Sequence, residues 1–273
     1  MADRIPLVLG PGLMNTPRLW QHQTEHLADI ADMTIVDTRR DTSLTDMAKR
    51  MLDAAPPTFA YAGLSMGGYM AFEMIRQAPE RVTKLALLDT ASFNDTPERS
   101  EIRRNMIALA EKGDFETVKR NTFPIFLAPE HLNDPTLIGI ATEMCDEIGP
   151  EIFVQQMTAI MNRNDSRDLL PQIKVPTLVI VGRQDQGTPV AGYTRTAAAI
   201  RDADFRASTA ELRLPCLALA GAEDGATPPD LVRDTAGLIP GSRFEVIEDC
   251  GHLSTIEQPQ AVTALLRDWL LYG

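Results

Sequence analysis

Gly63-Leu64-Ser65-Met66-Gly67-Gly68 places a serine between glycines, a spacing suited to acyl transfer when it stands at a strand-to-helix corner. The apolar run Phe59-Ala60-Tyr61-Ala62 precedes it, and the helix-like Tyr69 to Ile75 follows. A sharp strand-to-helix corner strains the backbone of its central residue and crowds the positions two before and two after it. Gly63 and Gly67 remove the side chains that would collide there. The Ser65 hydroxyl is then lifted clear of the sheet. The Met66 amide, at the helix start, faces the point where a carbonyl oxygen would become negative.

A serine hydroxyl needs a base to take its proton, and histidine is suited to that near neutrality. There are four histidines. His22 and His26 lie four apart on one predicted helix, and without a third ligand they read as a solvated face instead of a metal pair. His131 reads as a surface residue beside Pro129. His252 stands in Glu248-Asp249-Cys250-Gly251-His252-Leu253-Ser254, a turn-rich loop before the last helix, and completes the chain order of nucleophile, acid and base.

These groups need a frame. Short apolar runs alternate with helical patterns through the first 90 or so residues, the signature of a parallel, doubly wound α/β sheet. Strands are expected at Ile5–Leu9, Met33–Val36, Thr58–Ala62 and Leu85–Leu88, with helices over about 17–30, 43–55 and 66–78. From 94 to 170 no strand pattern occurs, only helical stretches broken by Gly113, Pro124, Pro129, Pro135 and Gly149-Pro150. This segment is expected to form a helical cap over the strand ends where Ser65 emerges. Core segments are expected at 1–93 and 171–273, with strands at Thr177–Val181, Cys216–Ala220 and Phe244–Ile247 and a closing helix over Gln258–Tyr272.

With 273 residues and a net charge of −12, the chain can bury one large core and would repel nucleic acid phosphates. No segment reaches the roughly 20 apolar residues of a membrane span, and the amino terminus lacks a signal peptide's apolar stretch. A cytoplasmic location and a small-molecule substrate are expected. Cys145, Cys216 and Cys250 are odd in number, widely spaced and read as incidental or buried thiols.

The chain resembles the α/β-hydrolase superfamily, and within it the small cytosolic esterase and 3-oxoadipate enol-lactonase branches. Pro11-Gly12-Leu13-Met14-Asn15 resembles the oxyanion loop, Gly63 to Gly68 the elbow, Gly251-His252 the base loop, and Glu257-Gln258-Pro259 the approach to the final helix. Pro11 departs from the pattern, since many members carry histidine there. The resemblance implies Leu13 and Met66 as oxyanion-hole amides and no metal or organic cofactor.

The family's acid motif, a strand followed by Gly-x-x-Asp and then Thr-Pro, occurs twice. Val175 to Asp185 leads to Thr188-Pro189, and Leu214 to Asp224 leads to Thr227-Pro228, at a constant offset of 39 positions. This reads as a duplicated helix-strand unit, 171–209 or 190–228. Asp224 has the better claim to orient His252, because the 28 positions between them match the interval the resemblance implies. Asp185 is the alternative acid. Asp89 reads as a loop-capping residue. An extra strand inside the sheet would carry Asp224 and His252 away from Ser65 by about 4.8 Å. The expected arrangement therefore keeps the first copy outside the sheet, against the cap, an edge or a dimer partner. The others seat Asp185 in the triad, or admit both strands and impair the enzyme.

The implied reaction is hydrolysis of a small ester or lactone by Ser65, His252 and Asp224, in a monomer or homodimer. Carbon-carbon bond hydrolysis, cofactor-free haloperoxidation and non-catalytic ligand binding remain open on the same fold. Phe123, Phe126, Phe153, Met157 and Met161 are candidates to line an apolar pocket, though their helical spacing favours packing. Arg163 and Arg167 are candidates for a substrate carboxylate, with solvated surface arginines the simpler reading.

Overall fold

Strands buried on both faces must be apolar throughout, and Phe59–Leu64, buried at every position, shows why this sequence builds a parallel sheet. The computed structural model describes residues 4–170, 173, 175–180, 217–219, 243–245, 247–249 and 253–272. Among these, seven strands form one sheet: β1 (Ile5–Gly10), β2 (Ala31–Ile35), β3 (Phe59–Leu64), β4 (Val82–Leu88), β5 (Thr177–Ile180), β6 (Leu217–Leu219) and β7 (Arg243–Glu245). Their order is β2-β1-β3-β4-β5-β6-β7, and every pairing is parallel. The chain runs outward from β1 to β2, returns to β3, and then proceeds strand by strand to the far edge.

Helices cover the sheet. The segment expected as one helix over 17–30 is a 3-10 turn at Pro17–Trp20 and a short α1 (Gln21–His26), closed when the Ile30 and Ala31 amides both donate to Leu27 O. Helix α2 (Leu44–Ala54) starts at Ser43, whose hydroxyl accepts the Asp46 amide, and buries Leu44, Met47, Ala48, Met51 and Leu52 on one stripe. Helix α3 (Met66–Gln77) is buried continuously from Met66 to Ile75. The segment between β4 and β5 holds α4 (Pro97–Glu111), α5 (Phe115–Phe126) and α6 (Pro135–Met161), the last kinked at Gly149, where φ is 69°. The chain closes with α7 (Ser254–Glu257) and α8 (Pro259–Tyr272). Lys84 of β4 donates to Trp269 O and Leu270 O in the last turns of α8 and holds that helix against the sheet. No helix among the described residues is long and apolar enough to cross a membrane.

The far edge corrects one expectation. Both copies of the repeated strand lie inside the sheet: β5 pairs with β4 from Leu85↔Thr177 to Leu88↔Ile180, and β6 pairs with β5 through Leu178↔Leu217 and Val179↔Ala218. The physical reason is burial together with pairing. Leu178 and Ile180 are fully buried, each worth about 1.5–3 kcal/mol. Without β5, the outer edge of β4 would also lose that ladder.

Candidate active site

The elbow forms as its glycines require. Ser65 has φ 53° and ψ −110°, a strained combination for a residue with a side chain, and its hydroxyl makes no bond to the helix start. A Cβ at Gly63 would run into the Gly67 carbonyl, and one at Gly67 into the Gly10 carbonyl. The strain is held from several sides. The Ser65 amide donates to Leu88 O at 2.8 Å, Thr90 Oγ1 donates to Ser65 O at 2.8 Å, and Tyr61 Oη donates to Gly67 O at 2.7 Å. Burial pushes the Tyr61 phenol far above its ordinary pKa, so it remains a donor.

Gly12 brings the loop after β1 close against this corner. A Cβ there would lie 3.2 Å from Leu64 Cδ2 and 3.4 Å from Ser65 Cβ. The Asn15 amide donates to Gly12 O at 3.3 Å, and Met14 takes a left-handed φ of 57°. Among the described residues, neither the Leu13 nor the Met66 amide donates to a protein acceptor. Both are sequence-expected oxyanion donors, Leu13 in the loop after β1 and Met66 at the first position of α3.

Asp89 follows β4 directly between the two residues that hold the Ser65 backbone. It is fully buried, has φ 47°, donates its amide to Ile180 O at 2.8 Å and accepts the Ser254 hydroxyl at 2.8 Å. It thus ties the β4 loop to α7. Ser254 stands two positions after His252, so the chain just beyond His252 is fastened beside the residues that hold the Ser65 backbone. From Glu245 on β7 it must cross three strand spacings, about 14 Å. Nine residues can span roughly 30 Å, so the extra strand does not keep this segment away. Asp185, Asp224 and His252 themselves lie outside the described residues, as do Cys216 and Cys250.

Glu257, in the sequence only part of the approach to the final helix, has its carboxylate buried at a junction. It accepts the Leu253 amide at 3.1 Å, the Ala128 amide at 2.9 Å and His131 Nδ1 at 2.6 Å. His131 is therefore not a plain surface residue, because a buried carboxylate draws it in. His22 and His26 stack at 4.0 Å, with His22 Nδ1 2.7 Å from Thr263 Oγ1. His22 is partly buried, so the helix face is only partly solvated. No metal-ligating cluster occurs among the described residues.

The two arginines considered for substrate divide. Arg163 is buried: Nη2 meets Asp95 Oδ1 at 2.8 Å and Phe93 O at 2.9 Å, Nη1 donates to Ile160 O at 2.8 Å, and the guanidinium lies over Tyr69. It is neither a surface residue nor free for a carboxylate. Arg167 is exposed and closes on Asp165. Phe153 and Met157 are core residues, and Phe123 and Phe126 pack against the core. Cys145 is buried, which pushes its thiol up to about 12.

Comparison with known proteins agrees with this fold. The Alpha/beta hydrolase family matches residues 7–265, and the chain belongs to that family. A putative carbamate hydrolase RutD from Azorhizobium caulinodans is 28% identical over 217 residues, 72% of this chain and 80% of that protein. Among solved structures, a thermophilic esterase from Thermogutta terrifontis superposes with a TM-score of 0.71 at 26% identity, covering 97% of this chain and 89% of its own. An enol-lactonase from Burkholderia xenovorans LB400 shares the fold at TM-score 0.69 and 19% identity, over 98% and 92% of the two chains.

Proposed function

We propose that the chain is a serine hydrolase that cleaves small carboxylic esters or lactones through an acyl-enzyme on Ser65. The observation that carries this reading is Ser65 itself, held at φ 53° in a glycine-tight elbow at the start of α3, with Gly12 of the preceding loop packed against it. In this mechanism His252 takes the Ser65 proton as the hydroxyl attacks the carbonyl carbon. The two amides receive the developing oxyanion, and collapse expels the alcohol with the proton from His252. Water then attacks the acyl carbon, giving its proton to the same histidine, and collapse breaks the bond to Ser65 Oγ, which takes that proton back as the carboxylic acid leaves. Similarity to an esterase and an enol-lactonase supports esters and lactones as the substrate class.

Sheet order bears on the acid. Asp89, Asp185 and Asp224 follow β4, β5 and β6, strands one, two and three spacings from β3 and Ser65. The preference for Asp224 came from its 28-position interval to His252 and required the first copy to lie outside the sheet. With β5 inside it, Asp185 follows the nearer strand and takes the leading place, with Asp224 as the alternative. A second reading, an impaired hydrolase that binds its ligand without turnover, is favoured by the extra strand alone.

Fluorophosphonate labelling of Ser65, with Ser65→Ala as control and a panel of p-nitrophenyl esters beside a lactone, tests the proposal. Labelling with turnover supports it. Absence of labelling at every pH sinks it, and labelling without turnover selects the second reading.

A further inference from the structure

The oxyanion loop is not held by the sheet alone. The Met14 amide donates at 3.0 Å to Oε1 of Gln156, 142 positions away on α6. The other end of that carboxamide, Nε2, donates at 2.9 Å to Thr38 Oγ1 in the loop after β2. Gln156 is fully buried, Thr38 and Met14 nearly so, and its neighbours on the helix face are Phe153, Met157 and Ile160. One glutamine therefore joins the loop after β1, the loop after β2 and the helical insertion, with both ends of its amide satisfied.

We propose that Gln156 is a positioning residue for the oxyanion hole, so that the hole is complete only while the helical insertion is seated on the core. The inference rests on the reading of Leu13 and Met66 as oxyanion donors. The geometry of the turn makes the link. The Gly12–Leu13 peptide has its carbonyl held by the Asn15 amide, and a trans peptide sends the Leu13 N–H the opposite way. Its direction is set by how the turn from Gly12 to Asn15 sits on Ser65. Asn15 fastens one end of that turn, and Gln156 fastens Met14, whose left-handed backbone has no glycine to relax it. Without the glutamine, Met14 would keep a buried amide with no acceptor, and the turn would have reason to reopen. Arg163, seven positions further along, pins the region just beyond α6 to Asp95 and Phe93 O, so the seat is held at two places.

The test compares Gln156→Leu, which keeps the volume but removes both bonds, with Gln156→Glu, which keeps an acceptor for Met14. Phe153→Leu, one turn earlier on the same buried face, serves as a packing control. For Gln156→Leu, kcat on p-nitrophenyl esters is expected to fall about 10- to 100-fold with KM within about twofold, and fluorophosphonate labelling of Ser65 to slow in parallel. Gln156→Glu should recover most of both rates, whereas Phe153→Leu should lower Tm and leave kcat nearly unchanged. Amide hydrogen exchange gives an activity-independent readout. The Met14 amide should exchange at least about tenfold faster in Gln156→Leu while α3 keeps its protection. If Gln156→Leu changes only Tm, or Met14 exchange is unaltered, the proposal is overturned. A wild-type protein that neither turns over nor labels would remove the hydrolase reading, and the exchange comparison would still decide whether Gln156 holds the loop.

Discussion

The Ser65 corner and the far edge of the sheet are built on opposite principles. At the corner, glycine-to-backbone contacts, the hydrogen bonds of Ser65 with Leu88 O and Thr90, and the Tyr61 bond to Gly67 O converge, leaving the backbone one arrangement. At the far edge two similar strands, each followed by Gly-x-x-Asp, lie side by side, the first paired with β4 and the second with the first. Steric exclusion yields a unique site. Ladder pairing is permissive, so a repeated unit can enter a sheet without disturbing the strands before it.

The sharpest way to break this comparison is Gly67→Ala. A methyl there meets the Gly10 carbonyl, a backbone atom that cannot swing aside, so a loss of at least about 3 kcal/mol in denaturant unfolding and of nearly all Ser65 labelling is expected. Mild effects would mean the corner is less constrained than its contacts indicate. Next in size come Asp185→Asn and Asp224→Asn measured side by side. One should lose about a thousandfold or more in kcat while the other stays within about threefold, with Asp185 expected to be the sensitive one. Equal losses would show that neither aspartate holds the role alone.

A smaller effect should follow Ser254→Ala, which takes a hydrogen bond from the buried Asp89 carboxylate. About 1.5–3 kcal/mol of stability should disappear, measured by urea unfolding. No change in the unfolding midpoint would remove Asp89 as a tie between the two regions. The mildest prediction concerns pH. Burial alone would raise the Asp95 carboxyl, but Arg103 and Arg163 outweigh it and hold it below its ordinary 3.8. A carboxyl lowered on folding contributes its full stability above that value and loses it as pH falls towards the folded pKa. Wild type should therefore lose Tm more steeply than Asp95→Asn between about pH 4 and pH 2 in thermal melts. Parallel curves would show that this latch does not titrate as an ion pair.

Sequence reasoning reached the elbow because its signal is local: glycine spacing, a strand before and a helix after. It reached the early strands and α2 and α3 for the same reason, through period and capping. Gln156 left a weaker trace, a polar residue on the buried face between Phe153 and Met157, which marks a carboxamide needing partners without naming them. Glu257 is similar, since its partners His131 and Ala128 are about 130 positions away.

By itself the sequence determined the α/β class and the glycine-tight strand-to-helix corner at Ser65, because backbone sterics and hydrophobic period act over a few residues. Only the tertiary structure decided that both repeated strands enter the sheet, that Arg163 and His131 are engaged internally, and that a glutamine from the insertion holds Met14. Those outcomes depend on which surfaces compete for burial and which distant polar groups meet, and that competition is settled only when the whole chain is packed.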